Sequence, residues 1–476
     1  MAASGWKKTP PMRELAVVGA GMAGLAAAHR LEELAPDARV TVYEATDRVG
    51  GVIRSEPAPP GSVVLEGGPD SLLARKPAGV ALVEAVGLAG DLMTSHPAAR
   101  GALLYVDGQL MPLPPGVVAG VPLQPERLQE SPLLSAAGRA ALMADLGALP
   151  ETLSDDVSLG AFLARRLGDE WTDRVASSLL SGIYAGHMRD MSLLATYPEL
   201  AAAAQHGSLI RGLAAERAAH PPRPGPVFVT LSGGLETLPQ SVAGRFRTPV
   251  CTGVAIEAVA RDGVRYRLTG SHGDHVVDGV VVATPAPVAA RQLARLAPAA
   301  AERLARVPYA ELAVVTLRYA PGVAVPEGMT GVLVPAGAGV PLTAITFVGQ
   351  KWAHPVQPAD VPVRVFYGRA AAGPGAADVL AWSDERFQQQ AASDLCQVLG
   401  WAADPLAVRV HRHPAAMPQY LVGHPARVAE VEAELARRPG LALAGAALHG
   451  VGIPDVIRGG QAAAERLVRS LEERRR

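Results

Sequence analysis

The residues best placed to do chemistry stand near the start of the chain. Gly19-Ala20-Gly21-Met22-Ala23-Gly24 follows the apolar run Leu15-Ala16-Val17-Val18 and precedes a helical run from Leu25 to Leu34. In a dinucleotide-binding turn, Gly19 permits the tight reversal after the strand. Gly21 lets backbone approach a pyrophosphate, and Gly24 lets the helix pack close to the sheet. The helix N-terminus at Met22 and Ala23 then turns its partial positive charge on the phosphates. Glu44 stands 20 residues beyond Gly24, at the end of a second strand, placed to accept hydrogen bonds from a ribose. Strand, turn, helix and acid occur in that order, so more than a glycine-rich turn is present.

Three further segments bear on the same chemistry. After Glu44 the chain reads Ala45-Thr46-Asp47-Arg48-Val49-Gly50-Gly51. Arg48 offers a fixed charge to a pyrophosphate. Gly50 and Gly51 let backbone pass a cofactor without a Cβ clash. Near the C-terminus, Leu441 to Gly445 reads as a strand, Gly450-Val451-Gly452-Ile453-Pro454-Asp455 as a turn, and a helix follows from about Gly459. That is a second phosphate-facing unit, although Asp455 reads equally as a helix cap. Thr230-Leu231-Ser232-Gly233-Gly234-Leu235, with Val254 beyond it, reads either as an ordinary turn or as a return of the chain to the cofactor. No catalytic triad or paired carboxylates stand out.

These pieces need elements to position them. Arg39 to Glu44 alternates like a strand, which gives a βαβ start within 45 residues. Residues 56–125 are rich in Pro and Gly, 126–218 are helical in pattern, and His220 to Pro226 is a break. Strand patterns return at 227–231, 263–268, 280–285 and 309–368, and helical ones at 427–438 and 461–474. Nucleotide-related segments at both ends predict one cofactor domain built from discontinuous chain. Gly337-Ala338-Gly339 lacks a third glycine and a helix. With no second dinucleotide site, oxygen is the default electron acceptor.

Composition narrows the class. At about 150 residues per domain, 476 residues suggest about three units. Forty-four basic side chains nearly balance 45 acidic ones, and a net charge of −1 argues against a nucleic-acid binder. Cys251 and Cys396 are far apart and form no metal-ligand cluster, so no metal site is expected and a reducing, cytoplasmic compartment is. Lys7 and Lys8 before Leu15 to Ala28 mimic a signal peptide, but three glycines interrupt that run. No unbroken apolar window of about 18 residues marks a spanning helix.

The stretches Glu66-Gly67-Gly68-Pro69-Asp70-Ser71, Leu180-Ser181-Gly182-Ile183-Tyr184-Ala185-Gly186, Met191-Ser192-Leu193, Met417-Pro418-Gln419-Tyr420, Gly423-His424 and Gly450 to Asp455 cover the chain from about residue 14 to 470. Together with the nucleotide motifs they resemble the protoporphyrinogen and coproporphyrinogen oxidases of the FAD-dependent amine-oxidase-like superfamily. Lys351-Trp352-Ala353-His354-Pro355 and Met111-Pro112-Leu113-Pro114 look closer to the bacterial coproporphyrinogen-using branch. The resemblance implies an α/β fold: a Rossmann-like FAD-binding domain (1–55, 225–290 and 408–476), an α+β substrate domain (56–94 and 291–407) and a helical domain (95–224). It implies non-covalent FAD, held by the glycine turns with Met22, Ala23, Glu44, Ala45, Arg48, Gly68, Pro69, Asp70, Val254, Val451, Ile453 and Asp455. It also implies a six-electron dehydrogenation of coproporphyrinogen III by oxygen, with hydrogen peroxide as co-product and hand-off to a ferrochelatase as an expected partnership. Four departures from the family pattern, Leu72, His187, Gly207 and Val456, bear on substrate contacts more than on the cofactor.

Flavin-centred chemistry leaves the protein to bind and orient. Arg75 and Lys76 are candidates for substrate propionates, or a solvated charged pair. Ile183 and Tyr184 are candidates to line a macrocycle cavity, or core. Tyr420 and His424 would approach the ring, or be buried and hydrogen-bonded. Trp352 would stack on a tetrapyrrole, or pack. The rival functions are protoporphyrinogen IX oxidation, another amine-oxidase-like activity, and a non-catalytic flavin scaffold. The segment from Leu110 to Leu134 is Pro-rich and partly apolar, which leaves weak membrane association open. Oligomeric state is not legible.

Overall fold

Short Val-rich strands from three separate stretches of chain build one parallel sheet. Its order is Arg39–Tyr43, Glu14–Val18, Gly279–Val282, Leu441–Leu443. The computed structural model describes residues 12–59, 62–221, 224–354, 359–370 and 378–474. Lys7, Lys8 and Pro355 lie outside the described residues. Successive side chains point to opposite faces, and both faces are covered, as parallel sheets require. Leu15, Val17, Val40, Val42 and Val281 pack under the helices Met22–Leu34 and Ile453–Glu473. Ala16, Val18, Val280, Val282 and Leu443 pack with Ala286–Leu293, Pro298–Ala305 and His424–Ala436. A bridge between Tyr43 and Cys251 extends the sheet edge. It brings the chain around Val254 beside Glu44.

A seven-stranded sheet forms the second part. Its order is Ala407–Pro418, Tyr309–Tyr319, Val361–Tyr367, Leu342–Phe347, Met329–Leu333, Gly101–Val106, Gln109–Pro112. All neighbours are antiparallel except Met329–Leu333 with Gly101–Val106. The helix Asp384–Leu399 covers one face with Phe387, Ala391, Leu395 and Val398. Ser383 caps its start by accepting from the Arg386 N–H, and Gly400 ends it in a left-handed conformation (φ +72°). The third part is helical. Ala136–Ala144, Leu159–Leu167, Ser177–Tyr184, Pro198–Ala204 and Leu209–Ala219 share one apolar core, and Ser135, Ser158 and Ser208 cap three of these helices. No helix among the described residues is long and apolar enough to cross a membrane.

The fold is thus α/β, and it differs from the sequence reading at three places. The hairpin over 101–112, expected with the helices, is an edge of the seven-stranded sheet. Leu103 and Tyr105 face that sheet's core while Leu104 and Val106 face the helical core, so the strand serves two cores and shows no alternation. Ala407–Pro418, expected with the cofactor domain, is the opposite edge. The C-terminal helix, expected from about Gly459, begins at Ile453, with Pro454 in its first turn. Pro supplies a helical φ there without a needed N–H. Gly460 is a packing glycine rather than a breaker: a Cβ on it would lie 2.2 Å from the Ala23 carbonyl oxygen.

Candidate active site

The glycine turn divides into residues the chain itself requires and one it does not. Gly19 has φ +103°, and a Cβ there would lie 2.9 Å from the Ala283 carbonyl oxygen. A Cβ on Gly24 would lie 1.8 Å from the Gly19 carbonyl oxygen. Gly21 has an ordinary extended backbone (φ −71°, ψ 173°), and a Cβ there would meet nothing within 4 Å. Neither strain nor a neighbour calls for glycine at 21, whereas an outside group seated in that space does. Gly51 (φ +59°) faces the same space, where its Cβ would stand 3.3 Å from Gly21 Cα. The Gly50 N–H donates to the Ala20 carbonyl at 2.8 Å and ties the two turns together.

Two helix ends converge here. Met22–Leu34 and Ile453–Glu473 start at Gly21 and Gly452, and neither N-terminus has a side-chain cap. Their backbones touch at Ala23 and Gly460, and Arg30 pairs with Glu465 at 2.9 Å further along. The helices therefore run in the same direction, with the start of the second about 9 Å ahead of the first. Uncapped N-termini are anion sites, so the residues present fit a pyrophosphate. Met22 and Ala23 themselves are buried under the sheet, and Val451 and Ile453 flank the second start.

Glu44 is held by three donors: the Ala20 N–H (2.8 Å), the Thr46 N–H (2.9 Å) and the Thr46 hydroxyl (2.8 Å). A carboxylate has about four acceptor positions, which leaves room for a ribose hydroxyl next to exposed Ala45. The Val254 N–H donates to the Glu44 carbonyl at 2.8 Å, leaving its carbonyl and side chain to meet an adenine. Arg48 is used differently from the expectation. Its guanidinium donates to the carbonyls of Val49 (3.0 Å), Ile53 (3.1 Å) and Gly51 and pairs with Glu236 at 3.3 Å. It fixes the Gly50-Gly51 turn from within, because the loop carbonyls lie nearer than the space facing Gly21.

Gly68-Pro69-Asp70 is also anchored from behind. A Cβ on Gly68 would lie 2.1 Å from the Val52 carbonyl oxygen. His413 donates to the Gly67 carbonyl at 2.6 Å, and Arg364 donates to that of Gly68. The Asp70 carboxylate pairs with Lys351 and Arg364, each at 2.8 Å. Burial alone raises its pKa, but Lys351 and then Arg364 outweigh this and hold it well below the usual carboxylate range. Glu66, not singled out from the sequence, accepts from the Leu235 N–H and the Ser55 hydroxyl at 2.7 Å each, and burial pushes its pKa up to about 7. In the sequence it stands only as the first residue of the family stretch Glu66 to Ser71. A cavity of about 20 Å³ lies among Glu66, Asp70, Ser232, Trp352, His354 and Arg364, room for one water. Trp352, proposed above to stack on substrate, is 3% exposed and packs with Leu65, Met93 and Val348. Its ring is used by the core.

On the helical part, the last turn of Ser177–Tyr184 is exposed at Gly182 and Ile183. Ile183 is 51% exposed, and a Cβ on its neighbour Gly182 would meet nothing within 4 Å. Tyr184 is buried, with its ring 5.6 Å from that of Tyr420. Burial raises its hydroxyl pKa, and the charges of Asp455 and Glu199 add to this. Burial likewise raises the Tyr197 hydroxyl and the Glu199 carboxyl, and the charge of Arg75 opposes both shifts. Arg75, Lys76, Tyr184, Tyr197, Glu199 and Asp455 are thus brought into one neighbourhood. Tyr197 and Glu199 escaped sequence reading because Tyr-Pro-Glu looks like an ordinary helix start. Lys76 is committed: its ammonium lies 2.5 Å from Asp455. Arg75 makes no ion pair among the described residues.

Tyr420 and His424, expected near a substrate ring, hold the closing loop instead. Both are 1% exposed and stack at 4.0 Å. The Tyr420 hydroxyl donates to the Ala446 carbonyl (2.5 Å) and accepts from the Gly450 N–H (2.7 Å). His424 donates to the Leu448 carbonyl at 3.3 Å. Burial pulls its pKa down to about 4, against the opposite pull of that bond.

Comparison with known proteins gives the family. The sequence pattern of the flavin containing amine oxidoreductases matches residues 22–468, and the chain belongs to that family. It is 35% identical over 449 residues to the coproporphyrinogen III oxidase of Mycobacterium tuberculosis, covering 94% of this chain and 95% of that one. It is 32% identical to the coproporphyrinogen III oxidase of Bacillus subtilis (95% and 97% covered) and 32% to the human protoporphyrinogen oxidase (95% and 98%). A solved structure from Exiguobacterium sp. 255-15, provisionally named a protoporphyrinogen oxidase, superposes with a TM-score of 0.86 at 33% identity, covering 97% of this chain and all of that one. Cyclohexylamine oxidase from Brevibacterium oxydans, at 18% identity and TM-score 0.70, shares the fold. The chain is a flavin-dependent oxidoreductase related to the porphyrinogen oxidases of haem synthesis.

Two outcomes follow from the site. Gly21→Val has room for its side chain only where a pyrophosphate would sit, so the variant is expected to fold but to carry less than about a tenth of the wild-type FAD. Flavin absorbance per protein measures this, and full occupancy would sink the assignment of the turn. His424 resists protonation in the folded state, whereas an unfolded His titrates near 6.5. Its contribution to stability is intact above pH 6.5 and is lost as pH falls from there toward about 4, on the order of 3 kcal/mol in all. In His424→Gln that part of the Tm-versus-pH slope should vanish. A slope equal to wild type would show that His424 is not its source.

Proposed function

We propose that this chain is an FAD-dependent coproporphyrinogen III oxidase, converting its substrate to coproporphyrin III with oxygen. The observation that carries the reading is the neighbourhood of Tyr184, Tyr197, Asp455 and Arg75, an arginine with no ion pair among the described residues, beside the start of Ile453–Glu473. The match in sequence to relatives named for coproporphyrinogen supports the choice of substrate. A bound flavin supplies two-electron redox chemistry. The overall reaction removes six electrons and six protons, so three oxygen molecules become three of hydrogen peroxide.

In this reading the chain's own groups bind and orient. Glu44, the Gly21 and Gly51 backbones and the two helix starts hold the dinucleotide. In this reading FAD is held without a covalent link: neither cysteine lies in the closing loop 446–452, and its one histidine, His449, pairs with Glu432 at 2.9 Å. Arg75 takes a propionate by a bidentate pair. Ile183 and Tyr184 meet the face or edge of the macrocycle. The enzyme works in the cytoplasm and passes its product to a metal-inserting ferrochelatase. Protoporphyrinogen IX oxidation is the second reading, favoured by the similarity to the human enzyme.

Purified protein should show a flavin spectrum and develop porphyrin fluorescence faster with coproporphyrinogen III than with protoporphyrinogen IX, releasing three peroxides per porphyrin. The reverse preference would move the enzyme to the second reading, and a flavin spectrum with neither activity would exclude both. Arg75→Ala should raise KM for coproporphyrinogen about tenfold, with a smaller change in kcat. Unchanged kinetics would remove Arg75 from substrate binding. Lys76→Ala tests less cleanly, because it also releases Asp455.

A further inference from the structure

Arg369 stands just beyond the strand Val361–Tyr367. Gly368 between them has φ +96°, and a Cβ on it would lie 2.2 Å from the Glu311 carbonyl oxygen. The chain leaves the sheet at this glycine and docks on the helical part, where the Ala370 N–H donates to the Ala185 carbonyl at 2.6 Å. Ala185 follows Tyr184 directly and ends the helix Ser177–Tyr184 in a left-handed conformation (φ +48°). The last turn of that helix is the one that leaves Gly182 and Ile183 open. Arg369 is therefore seated at the end of the cleft-lining helix.

Its charge lacks a counter-charge. The guanidinium donates to the Val334 carbonyl and reaches no carboxylate among the described residues. All 45 acidic side chains of the chain fall within those residues, so none outside them can serve. The other inward arginines are paired: Arg166 with Asp145, Arg318 with Asp360 and Arg364 with Asp70. Arg369 is half-buried, and burial, with nothing opposing it, lowers its pKa. A desolvated guanidinium with one neutral acceptor among the described residues is costly. An anion from outside the chain removes that cost, and the planar guanidinium fork suits a carboxylate.

We propose that Arg369 is a second carboxylate anchor of the cleft, holding a substrate propionate beside Tyr184 independently of Arg75. The inference rests on the porphyrinogen reading and adds a source of selectivity to it. Coproporphyrinogen carries four propionates and protoporphyrinogen two, so a second cationic anchor favours the tetracarboxylate.

The test uses FAD-loaded wild type, Arg369→Ala and Arg369→Lys. Binding of coproporphyrin III and of its tetramethyl ester is followed by fluorescence quenching, and turnover of both porphyrinogens by porphyrin fluorescence. In Arg369→Ala the Kd for coproporphyrin III and the KM for coproporphyrinogen III should rise about tenfold to a hundredfold, the strength of a charged hydrogen-bonded pair. Arg369→Lys should fall between. FAD content should stay at the wild-type ratio, ester binding should not move, and protoporphyrinogen KM should rise less. Unchanged copro constants in an active enzyme would overturn the anchor and leave the porphyrinogen reading standing. Equal losses for acid and ester would assign Arg369 to packing, which also overturns it. A flavin-loaded wild type inert to both porphyrinogens would remove the underlying reading.

Discussion

The contact between Gly460 and the first turn of Met22–Leu34 is the constraint on which the site depends. Two parallel helices meet at backbone distance, with Gly460 against Ala23. Ile457, Ala463, Ala464, Leu467 and Leu471 are buried along the same helix. Each helix start carries roughly half a positive charge. The two starts are staggered by about 9 Å, since Ala23 is the second residue of its helix and Gly460 the eighth of its own, and Asp455 in the first turn offsets the second start, so the repulsion left between them is small. Apolar burial along the helices outweighs the repulsion, because burying one Leu is worth about 1.5–3 kcal/mol while a helix-end interaction is worth about 0.3–1 kcal/mol. An anion between the two ends turns the repulsion into attraction. Cofactor binding and folding are then linked, since the dinucleotide binds only the state in which both helices are docked.

The same division of labour recurs around the site. Sequence motifs single out residues of the right chemical type, and several of these hold the ligand-facing backbone rather than the ligand. Arg48 spends its donors on the loop that carries Gly50 and Gly51. Asp70 sits between Lys351 and Arg364. Tyr420 and His424 bond the carbonyls of the loop that ends at Gly450. A pyrophosphate at these turns would be met by backbone N–H groups, so side chains are free to fix the loops. Buried charges must in any case be paired, and the nearest partner is usually another part of the chain. A motif alone does not reveal that partner, because Asp70 and Lys351 are 281 residues apart.

What was legible from sequence follows from this. Gly19, Gly24 and the first βαβ unit were legible because their constraints are local: a turn, a close approach and two alternating strands. Gly21 was legible for the opposite reason, since it is the glycine the chain itself does not need. The domain of the hairpin over 101–112 was not, because a strand that serves two cores carries no sign of which one it joins. The start at Ile453 was hidden by Gly459 and Gly460, which look like a break and serve a helix crossing. Trp352 carried the right chemistry for a tetrapyrrole, but a large ring also fills a core well, and only the packing decides between these uses.

The cleft charges obey the same logic from the ligand side. Lys76 and Asp455 form a pair with the ammonium nearly half exposed, at 47%. Such pairs are worth about 0–1 kcal/mol. An incoming carboxylate can therefore draw Lys76 away at little cost, so this pair does not fix what the cleft accepts. Arg75 and Arg369 differ from it, because no acid of the chain satisfies them. Near them, Glu199 is pushed toward its neutral form by burial, which lowers the negative charge an anionic substrate meets. A half-desolvated cation is tolerated in a fold only where something outside the chain supplies the missing charge. Arg369 is such a cation, half-buried at the end of the helix that carries exposed Ile183 and buried Tyr184, while Arg75 is exposed near Glu199; together they suit a ligand that is apolar in its body and acidic at several points on its rim.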